Sequence, residues 1–198
     1  MKRTILLCCL LALSFAAQAQ ILRAPSEGRS MVYFYREPGT AFLIKIDLYD
    51  STRLLGTLGQ GRFMAYECAP GRHIFAASSE NFDIAEATLE AGRTYMIEVQ
   101  PVMGIAVARV SLKPVDRTAR AFKRQAKEIR AVFERNKELR VAPPVDPEQV
   151  NHAGAAPDTP DIMKKHARKK ETGNIVVIPD SLWITSGDLL PLRLRPAD

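Results

Sequence analysis

Three histidines and a few acidic pairs carry most of the chemistry that this sequence could perform. The histidines are His73, His152 and His166, and no two of them have the spacing of metal ligands. His73 lies near the start of the predicted strand 72–78, just after the turn Pro70-Gly71, where it could act as a general base if folding brought a carboxylate beside it. A strand histidine bonded to the backbone is the simpler interpretation, because a lone histidine without an aligned nucleophile lacks the geometry of a catalytic pair.

Two other patterns resemble functional motifs only superficially. The glycine-rich stretch 56–61 lacks the following Lys and Ser or Thr of a phosphate-binding loop and lies between two predicted strands, so we interpret it as a turn. Glu86 with Glu90, and Asp47 with Asp50, could form carboxylate pairs. Without an aromatic platform for a sugar they are more simply surface charges. The sequence therefore predicts no catalytic residue, no metal site and no cofactor.

The first nineteen residues have the three regions of a secretory signal peptide. Lys2 and Arg3 form a positive start, residues 5–17 are apolar but too few to span a bilayer, and Ala17-Gln18-Ala19 is a small-x-small cleavage site. The sequence therefore predicts cleavage after Ala19. The mature chain is expected in the periplasm or outside the cell, without a transmembrane segment.

Removal of this segment changes the cysteine content and the charge. Cys8 and Cys9 leave with it, and neither follows the small residue that a lipidated cysteine requires. Cys68 remains as the single cysteine of the mature chain, and we expect it to be a small buried side chain. The formal net charge of +6 falls by two with the loss of Lys2 and Arg3, and the remaining excess comes entirely from residues 116–198.

Residues 20–115 carry a β pattern. Short β-prone runs recur about every 8 to 12 residues, separated by Gly, Pro, Asp, Ser and Asn. In some of them apolar and polar side chains alternate, as where Ile44 and Ile46 alternate with Lys45 and Asp47. No long helical crossover separates these runs, which favours an antiparallel β-sandwich of about seven to eight strands. The predicted strands are 31–36, 42–49, 53–58, 62–68, 72–78, 81–89, 94–100 and 104–113.

Three motifs within residues 30–114 carry a resemblance to a known family. They are Val32-Tyr33-Phe34-Tyr35-Arg36 in the first strand, Pro70-Gly71-Arg72-His73 at a middle strand, and Ala91-Gly92-Arg93-Thr94-Tyr95 before a late strand. Together they resemble a bacterial family of exported or envelope proteins built on an uncharacterised domain. The resemblance implies a transthyretin-like or immunoglobulin-like β-sandwich and brings no established catalytic residues. Many members are lipid-anchored, and this chain departs from them because it lacks a proper lipid-attachment motif.

Residues 116–140 change to helical spacing. Phe122, Ala126, Ile129 and Phe133 recur on one face, with Asp116 available as the N-cap. One interpretation is an amphipathic helix that packs on the sandwich with a solvated basic back. The other is a helix whose charged face contacts an anionic membrane surface. The candidate contact residues are Arg120, Lys123, Arg124 and Lys127.

The remaining chain divides into a linker, a basic segment and an apolar tail. Residues 141–161 contain five prolines and predict an extended linker, and residues 162–198 begin with a basic cluster at 164–170. Nucleic-acid binding by this cluster is disfavoured, because an exported protein meets little nucleic acid and no aromatic residues interleave the cations. The extended C-terminal tail either adds a strand to an open edge of its own sandwich or pairs with a partner. Its candidate residues are Ile175, Val177 and Trp183.

These features together predict an exported, non-catalytic binding or structural module of the bacterial envelope. The expected partner is an envelope protein or an anionic membrane surface, not nucleic acid, and no feature specifies the ligand. The alternative is a small periplasmic hydrolase that uses His73 with a carboxylate. A cleft that contains His73 with an aligned acid or nucleophile would favour the hydrolase, whereas a filled interior with His73 facing solvent or backbone would favour the module.

Overall fold

The computed structural model describes residues 22–39, 43–103, 108–136 and 161–190. In these ranges the protein is mainly β, with ten strands in two sheets and three short helices. The strands are β1 Ser30–Tyr35, β2 Ile46–Asp50, β3 Arg53–Leu58, β4 Phe63–Cys68, β5 Gly71–Ser78, β6 Phe82–Leu89, β7 Thr94–Met103, β8 Ala108–Pro114, β9 Val176–Ile178 and β10 Trp183–Ile184. The helices are α1 Phe122–Arg135, α2 Ile162–Glu171 and α3 Ser186–Leu189.

Several predicted segments lie outside the described residues. These are the signal peptide 1–19, all but the last residue of the linker 141–161, and the end of the tail. The first residue of the predicted strand 42–49, the first four of 104–113 and the last four of the predicted helix 116–140 lie outside them too.

The first sheet has the strand order β10-β7-β1-β4, with β8 also on β7, and the second has the order β3-β2-β5-β6-β9. Of the eight strand pairings in the described residues, six are antiparallel. The pairs β1 with β7 and β6 with β9 are parallel, so the expectation of purely antiparallel sheets is wrong at these two places. Both parallel pairs join strands far apart in sequence, which provides the long connection that parallel neighbours need.

The eight strands predicted between residues 31 and 113 correspond in order to β1 to β8. The prediction for β3 agrees at both ends, whereas β2 begins only at Ile46, where its pairing with Leu58 starts. The strand β7 extends beyond its prediction because it pairs with β8 as far as Met103. The predicted buried and exposed sides of β2 also agree with the structure. Ile46 is buried and Lys45 is exposed, while Ile44, just before the strand, is half-buried.

Alternate side chains of the strands enter a buried cluster to which both sheets contribute. Val32 and Phe34 of β1 belong to it, and the ring of Phe34 meets Phe75 of the second sheet edge-on, with centroids 5.2 Å apart. Tyr33 and Tyr35, the intervening residues of β1, lie on the opposite side of the first sheet in a second cluster. Both sides of the first sheet are therefore covered, which explains why all six residues of β1 are buried.

Helix α1 covers the outer side of the first sheet. The four residues predicted for its apolar face are buried in the same cluster as Tyr33, together with Val132. The rings of Phe63 and Phe133 are stacked with centroids 4.1 Å apart. At the end of the helix, the amide of Asn136 donates to the carbonyl oxygen of Gly61 at 2.7 Å, which ties α1 to the turn before β4.

The helix begins later than the sequence suggested. Ala121 holds the N-cap position and provides no side-chain hydrogen bond, so the prediction that Asp116 caps the helix is wrong. Asp116 instead accepts hydrogen bonds from the backbone N–H and the hydroxyl of Thr118, at 2.8 and 2.6 Å. These bonds close a turn ahead of the helix, a role that Asp side chains commonly fill.

Residues 161–190 return to both sheets. The basic segment is helical, so the expectation of an extended tail is wrong there, whereas β9 is an added edge strand, one of the two alternatives that the sequence offered. The basic segment forms α2, and the Asp161 side chain caps it by accepting from the Lys164 backbone N–H at 2.9 Å. Ile162 packs against the outer side of the second sheet, in a third cluster with Tyr49 and Ile84. Beyond α2, β9 extends the second sheet beside β6 and β10 pairs with β7 of the first sheet.

Candidate functional site

The basic side of α1 faces away from the first sheet. All four predicted contact residues are exposed: Lys123, Arg124 and Lys127 because packing on the sheet uses the other side of the helix, and Arg120 in the turn just before it. Arg124 forms an ion pair with Glu128, with an N···O distance of 3.8 Å. No ion pair of the other three is recorded within the described ranges. We call these four residues the α1 basic face.

The three residues predicted for the tail have different surroundings. Ile175 is half-buried against the cluster beneath α2, whereas the Val177 side chain in β9 is 60% exposed. The Trp183 ring is contacted by the guanidinium groups of Arg93 and Arg117, which lie 4.2 and 3.8 Å from its centroid. This part of the tail therefore packs on the chain's own sheets, and Val177 is the exposed residue of the three.

Folding brings a carboxylate to His73. Asp50 lies at the end of β2 and His73 near the start of β5, and the His73 Nδ1 to Asp50 Oδ2 distance is 2.7 Å. Tyr66 donates its hydroxyl to the same carboxylate oxygen at 2.9 Å. The other ring nitrogen, Nε2, lies 2.9 Å from the carbonyl oxygen of Ala69. The side chains of His73 and Asp50 are only 13% and 12% exposed, so the pair is largely shielded from water.

This environment favours a charged His73 ring. Burial opposes the charge, but the hydrogen bonds of the ring to Asp50 and to Cys68 outweigh this effect and raise the pKa of His73 to about 10. A protonated imidazole donates from both nitrogens and has no lone pair with which to accept a proton. His73 in this arrangement is a structural cation and a poor general base at neutral pH. Cys68 is buried, and its Sγ lies 3.9 Å from the carbonyl oxygen of Ser30.

A second charged cluster, which the sequence did not reveal, holds α2 against β6. The Glu86 carboxylate meets Arg72 at 2.7 Å, His166 at 3.1 Å and Lys170 at 3.3 Å. The hydrogen bond from Arg72, opposed by burial and aided by those from His166 and Lys170, lowers the pKa of Glu86 to about 2. The signal that could have found part of this cluster is the i, i+4 spacing of His166 and Lys170, which places both on one side of a helix.

Asp83 strengthens the same junction. Its Oδ1 lies 2.5 Å from Lys169 Nζ, and its Oδ2 accepts the backbone N–H of Leu112 at 2.8 Å. A single carboxylate of β6 therefore contacts both α2 and β8. Two of the five Lys and Arg residues of the basic segment, Lys169 and Lys170, are thus paired with carboxylates of β6, whereas Lys164, Lys165 and Arg168 are exposed.

The remaining motifs are structural where they are described. Residues 56–58 belong to β3 and residues 59–61 to the turn that leads to β4, so the turn interpretation is confirmed only for the second half of the stretch 56–61. Glu90 pairs with Arg93 at 3.5 Å, and Asp47 accepts from the Thr57 hydroxyl at 2.5 Å, so the recorded partners of these carboxylates are not each other. Among the described residues, no group of three or more His, Cys, Asp and Glu side chains is placed to hold a metal ion. No helix in this part of the chain is long and apolar enough to cross a membrane.

Comparison with known proteins adds one relative. The chain is similar to an uncharacterised protein of Haemophilus influenzae, with 29% identity over 99 residues. The match covers 49% of this chain and 58% of the relative, so the chain spans less than two thirds of that protein's length. No family model matches the chain, and no solved structure matches it significantly. The function is therefore argued from the surfaces described above.

Proposed function

We propose that this protein is an exported, non-catalytic binding or structural module of the bacterial envelope, built on a β-sandwich that resembles transthyretin-like or immunoglobulin-like domains. The cluster to which both sheets contribute supports the sandwich. The signal-peptide pattern of residues 1–19 and the resemblance of residues 30–114 to exported proteins support the location.

The proposed working surface is the α1 basic face, and its partner is an anionic membrane surface. The observation that carries this assignment is the division of α1 into a filled apolar side and an exposed cationic side. The residues that pack the helix on the sheet differ from those that would contact the membrane, so the basic side chains stay exposed when the helix is packed. Each basic residue near an anionic bilayer contributes about 1 kcal/mol, and salt screens the attraction.

Co-sedimentation of the mature protein with vesicles tests this assignment. We expect binding to vesicles that contain phosphatidylglycerol at low salt, little binding to pure phosphatidylcholine vesicles, and loss of binding at high salt. Reversal of Arg120, Lys123, Arg124 and Lys127 to Glu should abolish the binding.

The matched control reverses four exposed cations elsewhere, Arg23, Lys45, Arg109 and Lys113, with the same change in net charge. If the two sets weaken binding equally, net charge rather than the α1 basic face drives association. Absence of binding to anionic vesicles at low salt would contradict the membrane assignment altogether.

Export has its own test. Mass spectrometry of the protein from a periplasmic extract should show a chain that begins at Gln20. A chain with intact Met1, or one carrying a lipid on cysteine, would contradict the proposal.

The alternative, a hydrolase that uses His73, is favoured by the Asp50 carboxylate 2.7 Å from the ring. The engagement of both ring nitrogens and the burial of Cys68 argue against it. Hydrolysis of p-nitrophenyl esters by the purified protein, lost in a folded His73→Gln variant, would establish this alternative. We expect no such activity above the buffer background.

A further inference from the structure

A cleft of about 470 Å³ opens between α2 and the beginning of β6. The half-buried Phe82 of β6 forms an apolar floor, beneath which Ile84 is fully buried. Lys165, Arg168 and Lys169 of α2 form one wall, because residues three and four apart lie on the same side of a helix. We call this site the α2 cleft.

The cations of the α2 cleft are unequally compensated. Lys169 is bound to Asp83, whereas the Lys165 Nζ lies 3.9 Å from the centroid of the Phe82 ring. In the described part of the chain, neither Lys165 nor Arg168 has a recorded carboxylate partner. Two exposed positive charges therefore lie beside the apolar floor of the cleft, where they attract an anion.

We propose that the α2 cleft binds a single-chain anionic amphiphile, such as a medium-length fatty acid. The hydrocarbon chain would lie along Phe82, and the exposed Lys165 side chain would turn away from the ring to hold the carboxylate together with Arg168. The volume is near the lower end of the range for ligand cavities, which suits one short chain rather than a two-chain phospholipid. The positive wall disfavours cationic amphiphiles of the same shape.

Titration of the ¹⁵N-labelled mature protein tests the proposal by amide chemical shifts. The probes are decanoate, decyltrimethylammonium with the same chain and the opposite charge, and acetate as the headgroup alone, all below micelle-forming concentrations. Decanoate should give saturable shifts at residues that line the cleft, including Asn81, Phe82 and Thr172. Decyltrimethylammonium or acetate binding as well as decanoate would overturn the proposal, and so would the absence of decanoate binding.

Two charge reversals on the same helix assign the binding to the cleft. Arg168→Glu should weaken decanoate binding about tenfold or more, because it places a negative charge at the headgroup position. Lys164→Glu makes the same change at an exposed position outside the cleft and should alter the affinity less than twofold. If Arg168→Glu displaces α2, as its own amide shifts would show, Arg168→Gln replaces it and should still weaken binding severalfold. Equal effects at Arg168 and Lys164 would overturn the assignment.

This inference does not depend on the α1 basic face, because the two surfaces lie on helices that cover different sheets. The decanoate titration contains no bilayer, and the vesicle experiment contains no free fatty acid. Failure of one proposal is therefore distinguishable from failure of the other.

Discussion

Helices α1 and α2 cover the outer sides of different sheets, and they are held there by different interactions. The side chains that α1 buries are apolar, and Phe133 stacks on Phe63 of β4. Helix α2 buries only Ile162 and His166, and its other contacts with β6 include ion pairs to Glu86 and Asp83. The same kind of element is therefore attached by hydrophobic burial on one sheet and largely by charge on the other.

The difference predicts unequal strength of attachment. Burial of a large apolar side chain contributes about 1.5–3 kcal/mol, whereas a partly exposed ion pair contributes about 0–1 kcal/mol. The side chains of Arg72 and Lys170, which meet Glu86, are 54% and 56% exposed. We therefore expect α2 to open more readily than α1 and to respond more strongly to pH and salt.

Acid should affect the two attachments in opposite directions. Near α1, burial, the charge of Glu98 and a hydrogen bond to Glu128 raise the pKa of Glu37 to about 7, so protonation of Glu37 favours the folded state. Beneath α2, the low pKa of Glu86 means that the unfolded state binds protons more tightly, so protonation disfavours the folded state. Glu37 stabilises the folded state increasingly as the pH falls from about 7 to 4.5, whereas the stabilisation from Glu86 is lost as the pH falls from 4.5 to about 2. Below about pH 4.5, therefore, only the attachment of α2 is weakened further.

The largest expected effect comes from Phe133→Ala in α1. The ring is fully buried and stacked on Phe63, so its removal should lower the free energy of unfolding by about 3–5 kcal/mol. Urea unfolding monitored by circular dichroism measures this change. Lys123→Ala on the exposed side of the same helix is the control and should change stability by less than about 0.5 kcal/mol. A small effect of Phe133→Ala would show that burial does not hold α1.

A smaller effect is expected from Glu86→Gln beneath α2. Loss of the carboxylate removes ionic partners of Arg72, His166 and Lys170, which should cost about 1–2 kcal/mol. Hydrogen exchange should show lower protection of α2 amides with unchanged protection of α1. Glu90→Gln, at an exposed carboxylate of the same region, should leave both helices unaffected. Uniform loss of protection throughout the chain would mean that α2 does not open separately.

The smallest effect is the partial release of α2 by acid. The stabilisation from Glu86 is fully present above its ordinary pKa of about 4.5 and is lost as the pH falls towards its folded value of about 2. At pH 3 the loss should therefore be only part of that caused by Glu86→Gln. Amide exchange of α2 compared at pH 5 and pH 3 measures it, after correction for the intrinsic exchange rate. The Glu86→Gln variant should lack this response, and an equal response in the variant would assign it to another group.

The sequence was most informative about secondary structure where the apolar residues of a single strand or helix form a regular pattern. Short β-prone runs bounded by turn residues located all eight strands from β1 to β8, and period-two alternation identified the side of β2 that enters the cluster between the sheets. Spacing of three and four residues identified the buried side of α1 in the same way.

Interactions between distant parts of the chain were not predictable in this way. Helix α2 carries only two buried residues, too few to mark a face among its lysines. Glu86 and His166 lie in elements that meet only after folding, and no local pattern relates them. The sequence suggested that a carboxylate could lie beside His73, but it did not identify Asp50. Asp50 is the last residue of β2, and the position of that strand end beside β5 is set only by folding.

The C-terminal strands also affect how the growing chain behaves. β9 lies beside β6 and β10 beside β7, yet both are synthesised long after the strands that they cover, with α1 and α2 in between. Until then one side of β6 presents an unpaired row of N–H and C=O groups, the kind of edge to which other chains add. We therefore expect residues 176–184 to protect nascent or freshly exported chains from aggregation, in addition to completing the two sheets.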